Sequence, residues 1–379
     1  MKKMSFLLIT LLLLLSGCGD TREIDQRTIV LGMGIDIEEN GEYMVTVQVP
    51  ILMPQGQQTG DGNNNEFETI SAKGKYVWEA IANIEAATPT VLYFGHLKAI
   101  TIGEKLAKFG VDHILDLLDR RAPLANEVYL IIIREKNKVE EFLEAESPLV
   151  SLPALYLDRF FNADQKVSRT KEVRLFEFRR DSNMIANTAL IPFAYKDDKI
   201  HIEDMGILKD QKLVGELNGH EVGISNLLKE DKVKNMNYSF EVEEGDSTIE
   251  ASVRTDLSMD FTYEKSNPIH INLTISGKGE LVYLLPSKVR TTQKTIDTLT
   301  EVVERRVTED ISKTVKKMKE IKVEPWLLGH RIWAKDHEYF QSLNWNESGW
   351  VDSIFNVNVS IEIDQTGQKG MLDKKKIGR

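Results

Sequence analysis

The sequence predicts an α+β protein of more than one domain: mixed sheets and helices, then a C-terminal antiparallel sheet packed on one long helix. Three observations carry this expectation. Short apolar strands alternate with amphipathic helices over the first 145 residues, the spacing of βα units. Two long runs in the second half alternate apolar and polar residues with period 2, as half-buried antiparallel strands do. Between those runs and a final alternating strand lies Thr291–Lys322, a helical stretch with a single apolar stripe.

Taken in order, Thr28–Ile37 and Tyr43–Val49 read as strands joined by the turn "EENGE". Pro54–Glu66, "PQGQQTGDGNNNE", reads as a surface loop rich in Gly, Gln and Asn. An amphipathic helix near Val77–Ala87, a strand in "HLKAITIG" and a helix over Glu104–Arg120 come next. A buried strand, Val128–Ile133, and a helix near Lys138–Ala145 complete the alternation. Ser147–Ala194 is less regular, punctuated by Pro148, Pro153 and Pro192, and reads either as packing on the first domain or as a small unit. After "GILKDQKLVGEL" and a short helix near Gly223–Lys229, Ala251, Val253, Leu257, Met259, Phe261 and Tyr263 recur at period 2. So do Ile269, Ile271, Leu273 and Ile275. Steps of three and four bring Ile296, Leu299, Val303, Val307, Ile311, Val315 and Met318 onto one helix face, which suits covering a sheet. The last strand, "FNVNVSIEID", points Phe355, Val357, Val359, Ile361 and Ile363 inward. The expected divisions are 1–17 (leader), 18–198 (N-terminal α/β domain, with a second candidate boundary near 147), 199–366 (C-terminal α+β domain) and 367–379 (basic tail).

The N-terminus explains the chain's only cysteine. Met1-Lys2-Lys3 is a short positive region, and Phe6–Leu15 is apolar apart from Thr10. That run is too short to span a bilayer, which takes roughly 20 residues, but it fits the apolar region of a secretory signal peptide. "LSGC", Leu15 to Cys18, closes it as a bacterial lipobox does, so Cys18 is the expected lipidation site, thioether-linked to a diacylglycerol with two acyl chains such as palmitate. Two acyl chains hold a protein on a membrane where one holds it only reversibly. With Cys18 acylated, no internal disulfide is available. Lys+Arg 48 against Asp+Glu 59 gives −11, and losing Lys2 and Lys3 with the leader makes it −13. Such a balance excludes a nucleic-acid binder built on a basic stripe and leaves membrane holding to the acyl group. Only "GDT", Gly19–Thr21, precedes the patterned sequence, so the first domain is expected within roughly 10–15 Å of the bilayer.

Catalytic signatures are missing from the sequence. "GMGID", Gly32–Asp36, lies inside a strand and lacks the third glycine and following helix of a phosphate-binding loop, so a glycine pair permitting close packing is the better reading. The seven histidines (His96, His113, His201, His220, His270, His330 and His337) show no metal-ligand spacing. His330 and His337 flank Trp333 on one side if that segment is helical, which two surface histidines explain equally well. No G-x-S-x-G elbow exists, and the lone cysteine is committed. No metal or cofactor is expected.

Several stretches, in order, resemble a family. "CGDTREIDQRTIVLGMGID" from Cys18 resembles the start of the Ger(x)C lipoproteins, the C subunits of bacterial spore germinant receptors. "FGHLKAITIGEKLAKFGVDHILDLLDRR" (Phe94–Arg121), "MGILKDQKLVGELNGHE" (Met205–Glu221) and the region Gly329–Gly367 resemble later family segments. There are departures: Gly19 stands where the family usually has Trp, Ile207-Leu208-Lys209 replaces its A-v-F, and Arg331 occupies a common Asp position. The resemblance implies a non-enzymatic subunit on the outer face of the spore inner membrane, with two integral membrane partners of A and B type. It also implies a requirement in the response to nutrient germinants. A solute-binding lipoprotein feeding a transporter is the alternative, which the second half argues against by lacking repeated βα lobes.

Overall fold

A computed structural model describes residues 27–51, 67–120, 127–145, 150, 152–162, 168–244, 247–285 and 292–364. The expected leader and Cys18, the whole of the expected loop Pro54–Glu66 and the basic tail lie outside these residues.

Strands β1 (Arg27–Ile29), β2 (Gly32–Ile37), β3 (Tyr43–Pro50) and β4 (Phe67–Gly74) are followed by helix α1 (Val77–Ala87), β5 (Val91–Tyr93) and β6 (Ala99–Gly103). Helices α2 (Glu104–Phe109) and α3 (Asp112–Arg120) lead to β7 (Tyr129–Ile133), α4 (Val139–Leu143), α5 (Pro153–Phe161) and α6 (Leu175–Ser182). A meander of β8 (Thr188–Lys196), β9 (Ile200–Lys209) and β10 (Lys212–Leu217) comes before α7 (His220–Glu230). The C-terminal part holds β11 (Lys232–Glu244), β12 (Ser247–Glu264), β13 (His270–Leu285), α8 (Gln293–Glu320), α9 (Leu328–Lys335), α10 (His337–Ser342) and β14 (Ile354–Asp364).

The larger sheet has eight strands in the order β10-β9-β8-β7-β6-β2-β3-β4. Its centre, β2, β6, β7 and β8, is parallel, because helices carry the chain back between those strands. Its flanks are antiparallel hairpins. The irregular stretch ends in β8, so it is part of this sheet. The β8–β9 hairpin carries the sheet across the division expected between 198 and 199, and strand pairing continues to Leu217. Asp210 and Gln211, with φ of 48° and 63°, form the two-residue turn that suits the right-handed twist of β9 and β10.

Two expected elements are broken, each for a local reason. The strand expected over Thr28–Ile37 changes partner midway: Val30 N–H bonds Tyr93 O at 3.0 Å, then Leu31 N–H bonds Gln48 O at 2.9 Å. β1 thus pairs with β5 while β2 joins the large sheet. The helix expected over Glu104–Arg120 stops at Gly110, whose φ of 137° no side-chain-bearing residue adopts comfortably.

One sheet face is covered by α4 and α5, with Ala99, Ile131, Phe142 and Leu157 between them. Gly34 permits this, since a Cβ there would overlap Val139 Cγ1 and come within 2.8 Å of Leu143 Cδ1. The other face, under α1, α2 and α6, opens into a core shared with the C-terminal half and reaching Trp326.

The second sheet runs β11-β12-β13-β14. All seven stripe residues of α8 are buried against it. Thr292 starts that helix by accepting the Thr295 N–H at 3.1 Å. The antiparallel expectation holds over β11–β13; β14 joins β13 in parallel because the chain returns through α8.

Candidate functional site

Three arrangements bear on function: what holds the start of the described chain at Arg27, how the halves join, and what holds the connector between α8 and α9.

The start of the described chain, at Arg27, is pinned. Arg27 stacks its guanidinium 4.8 Å from the Tyr93 ring centroid, and Tyr93 meets His96 edge-on at 5.8 Å. The Thr28 and Thr90 hydroxyls bond each other, and Val30 behind them is fully buried. Beside this entry a cleft of about 410 Å³ collects His96, Lys98 and Arg174 with Glu127 and Asp158. The described chain starts at Arg27, and eight residues, Gly19–Gln26, lie between it and Cys18 in sequence. Fully extended they reach about 26 Å, more than "GDT" alone allows.

The halves are joined by a polar junction on an apolar core. Asp181 on α6 pairs with Lys229 on α7 and with Arg180 at 2.9 Å. Their side chains are 3% and 11% exposed for Asp181 and Lys229. Arg331 on α9 donates to Asp231 Oδ1 and Lys229 O, both at 2.6 Å, and Lys171 meets Glu230 at 2.7 Å. Removing one partner of a buried pair strands the other charge. Asp181→Ala is expected to lower unfolding stability by about 3–5 kcal/mol, whereas Asp181→Leu with Lys229→Met restores most of it. Urea unfolding of both variants checks this; equal losses would contradict it.

The connector from α8 to α9 is organised by Glu324, which is buried. Its Oε1 accepts the N–H groups of Trp326 (2.8 Å) and Leu328 (3.1 Å), and Oε2 that of Gly329 (3.1 Å). Burial pushes its carboxyl up to about 7, against the pull of those three donors. Trp326 then donates Nε1–H to Ser225 Oγ at 2.8 Å, tying the connector to α7. Gly329 passes against the Trp345 indole, where a Cβ would collide with the ring.

The residues singled out from sequence are scattered. Gly32 and Gly34 serve close packing in β2. His330 stacks on Trp333 at 5.3 Å and His337 meets it edge-on at 5.8 Å, so the two flank one ring as the spacing implied. Among the described residues no group of three His, Cys, Asp or Glu side chains converges on a metal position. Among them no helix is long and apolar enough to cross a membrane. Glu324 and the Asp181–Lys229 pair escaped the sequence reading; the one available signal was an acid placed just before Pro325-Trp326 and the start of α9.

Two family models match the chain: the spore germination protein N-terminal domain over residues 20–194, and the spore germination B3/GerAC-like C-terminal domain over 203–367. The chain belongs to this GerAC family of spore germination proteins, as the resemblance implied. The spore germination protein GerQC of Bacillus cereus is 22% identical over 369 residues, covering 96% of this chain and 98% of that one. Spore germination protein B3 of Bacillus subtilis (strain 168) is 24% identical over 384 residues, covering 95% and 96%. The crystal structure of the GerBC protein matches with a TM-score of 0.55 at 20% identity, covering 88% of this chain and 96% of that one, and shows the same mixed α+β fold.

Proposed function

We propose that the protein is a lipid-anchored, non-enzymatic subunit of a spore nutrient germinant receptor. It is held through Cys18 on the outer face of the spore inner membrane and docks on two integral membrane subunits of A and B type. The observation that carries this reading is the family match, which covers nearly all of the chain that follows Cys18. The pinned entry at Arg27 supports it, because a short tether on a fixed point keeps the first sheet close to the bilayer and to whatever is embedded there. The junction through Asp181, Lys229 and Arg331 then gives a stiff connection by which contact at the first sheet moves the C-terminal half as one body. A transporter's solute-binding lipoprotein is not favoured: the C-terminal half forms a four-stranded sheet under α8, with no second lobe of βα units among the described residues.

Inserting about 20 Gly/Ser residues after Thr21 adds roughly 25 Å of mean reach. Germination in response to nutrient should then be impaired at normal protein levels. Normal germination would contradict the tether argument.

A further inference from the structure

Six Phe, Tyr and Trp side chains are exposed among the described residues, and three of them gather in one place. Tyr76 (62% exposed), Trp78 (44%) and Phe109 (59%) line a single cleft of about 550 Å³. It lies between the first turn of α1, the β2–β3 turn, the end of α2 and the outer side of α3. Leaving three large rings in water forgoes burial that a core position would supply. Their convergence on a concave volume within the usual range for small-molecule sites gives that exposure a use.

The rim sets the ligand's charge. Lys75, His113 and Arg120 stand around the cleft, with Glu42 the one carboxylate among its lining residues. Glu42 is engaged by the Asn40 amide at 2.8 Å, and His113 faces Asp112 at 3.8 Å. Lys75 holds its ammonium 5.7 Å from the Tyr76 ring centroid, beside the apolar surface. Tyr43, itself buried, and Leu117 also line the cleft.

We propose that this cleft binds a small amphiphilic anion, with a planar apolar body between Tyr76, Trp78 and Phe109 and a carboxylate at Lys75. The site lies at the end of β2 opposite the leader entry, and it depends on neither the anchor nor the docking partners.

The test uses three probes with one body and three charges: indole-3-acetate, indole-3-acetamide and tryptamine. Each is titrated by NMR into the full-length detergent-solubilised protein. Indole-3-acetate should bind at least about 10-fold more tightly than the amide, and tryptamine more weakly still, since desolvated charge pairing adds to a shared apolar contact. Lys75→Glu should bring the acetate down to the amide's level, and Phe109→Ser should weaken all three about equally. Both residues are at the surface, and unchanged melting temperatures would show that the fold survives. Equal binding of acetate and amide, binding unaffected by either substitution, or no binding at millimolar concentration would each overturn the proposal. So would Phe109→Ser leaving probe binding intact while releasing a co-purifying membrane protein, which would make this face a protein contact.

Discussion

Cys18→Ala is expected to move the protein almost entirely from the membrane fraction to the soluble fraction of spore extracts and to abolish nutrient-triggered germination. Membrane affinity from acyl chains is about 0.8 kcal/mol per buried methylene, so one chain gives only reversible binding and two give a lasting anchor. The protein is expected to rely on that anchor. Its charge without the leader is −13, which anionic lipid repels. Among the described residues no helix is long and apolar enough to substitute. Fractionation of spore extracts with immunoblotting checks the first half, and nutrient-induced loss of optical density the second. A membrane-bound, germination-competent variant would contradict both.

Glu324→Ala should be among the most destabilising single substitutions in the chain, by about 4 kcal/mol or more. It removes the acceptor of three backbone N–H groups and leaves a void beside Trp326. Each buried donor left without a partner costs about 1–3 kcal/mol. The same residue makes stability depend on pH in a defined direction. Its carboxyl holds a proton up to about pH 7 when folded but releases it near the ordinary 4.5 when unfolded. Between those values the folded state binds more protons, so this contribution is fully present below about 4.5 and lost as pH rises through about 7. The span corresponds to about 3 kcal/mol at most. Wild type should therefore lose more stability between pH 5 and pH 8 than Glu324→Gln, whose amide cannot titrate. Urea midpoints at the two pH values decide this; parallel losses would show that Glu324 is already ionised at pH 5.

Periodicity carried much of the architecture. The stripe from Ile296 to Met318 is a property of neighbouring residues, and so is the alternation of Ile269–Ile275 and Phe355–Ile363; the helix and strands form where local pattern placed them. What local pattern does not contain is partner choice. Nothing in Thr28–Ile37 says that the chain leaves β5 for β3 after Val30. The parallel seat of β14 depends on the path through α8 rather than on the strand itself. Strand pairing runs through the division expected at 198, since β9 and β10 complete the first sheet.

The same distinction separates the expected lipidation site from residues whose roles only the fold reveals. The expectation for Cys18 rests on its own neighbours, because a lipobox is a contiguous signal. Asp181 and Lys229 stand 48 positions apart and meet only because α6 and α7 pack together. Tyr76, Trp78 and Phe109 look like ordinary core residues in the sequence, and only the fold leaves them facing water. Glu324 reads as one more surface acid until three backbone donors are seen around it.

The most direct test of the central claim is affinity capture of the C-terminally tagged protein from detergent-solubilised spore membranes, with mass spectrometry of what accompanies it. The account predicts two integral membrane germinant-receptor subunits in the eluate, lost when Cys18→Ala releases the anchor. An eluate holding an ATP-driven permease, or no integral membrane partner, would contradict it.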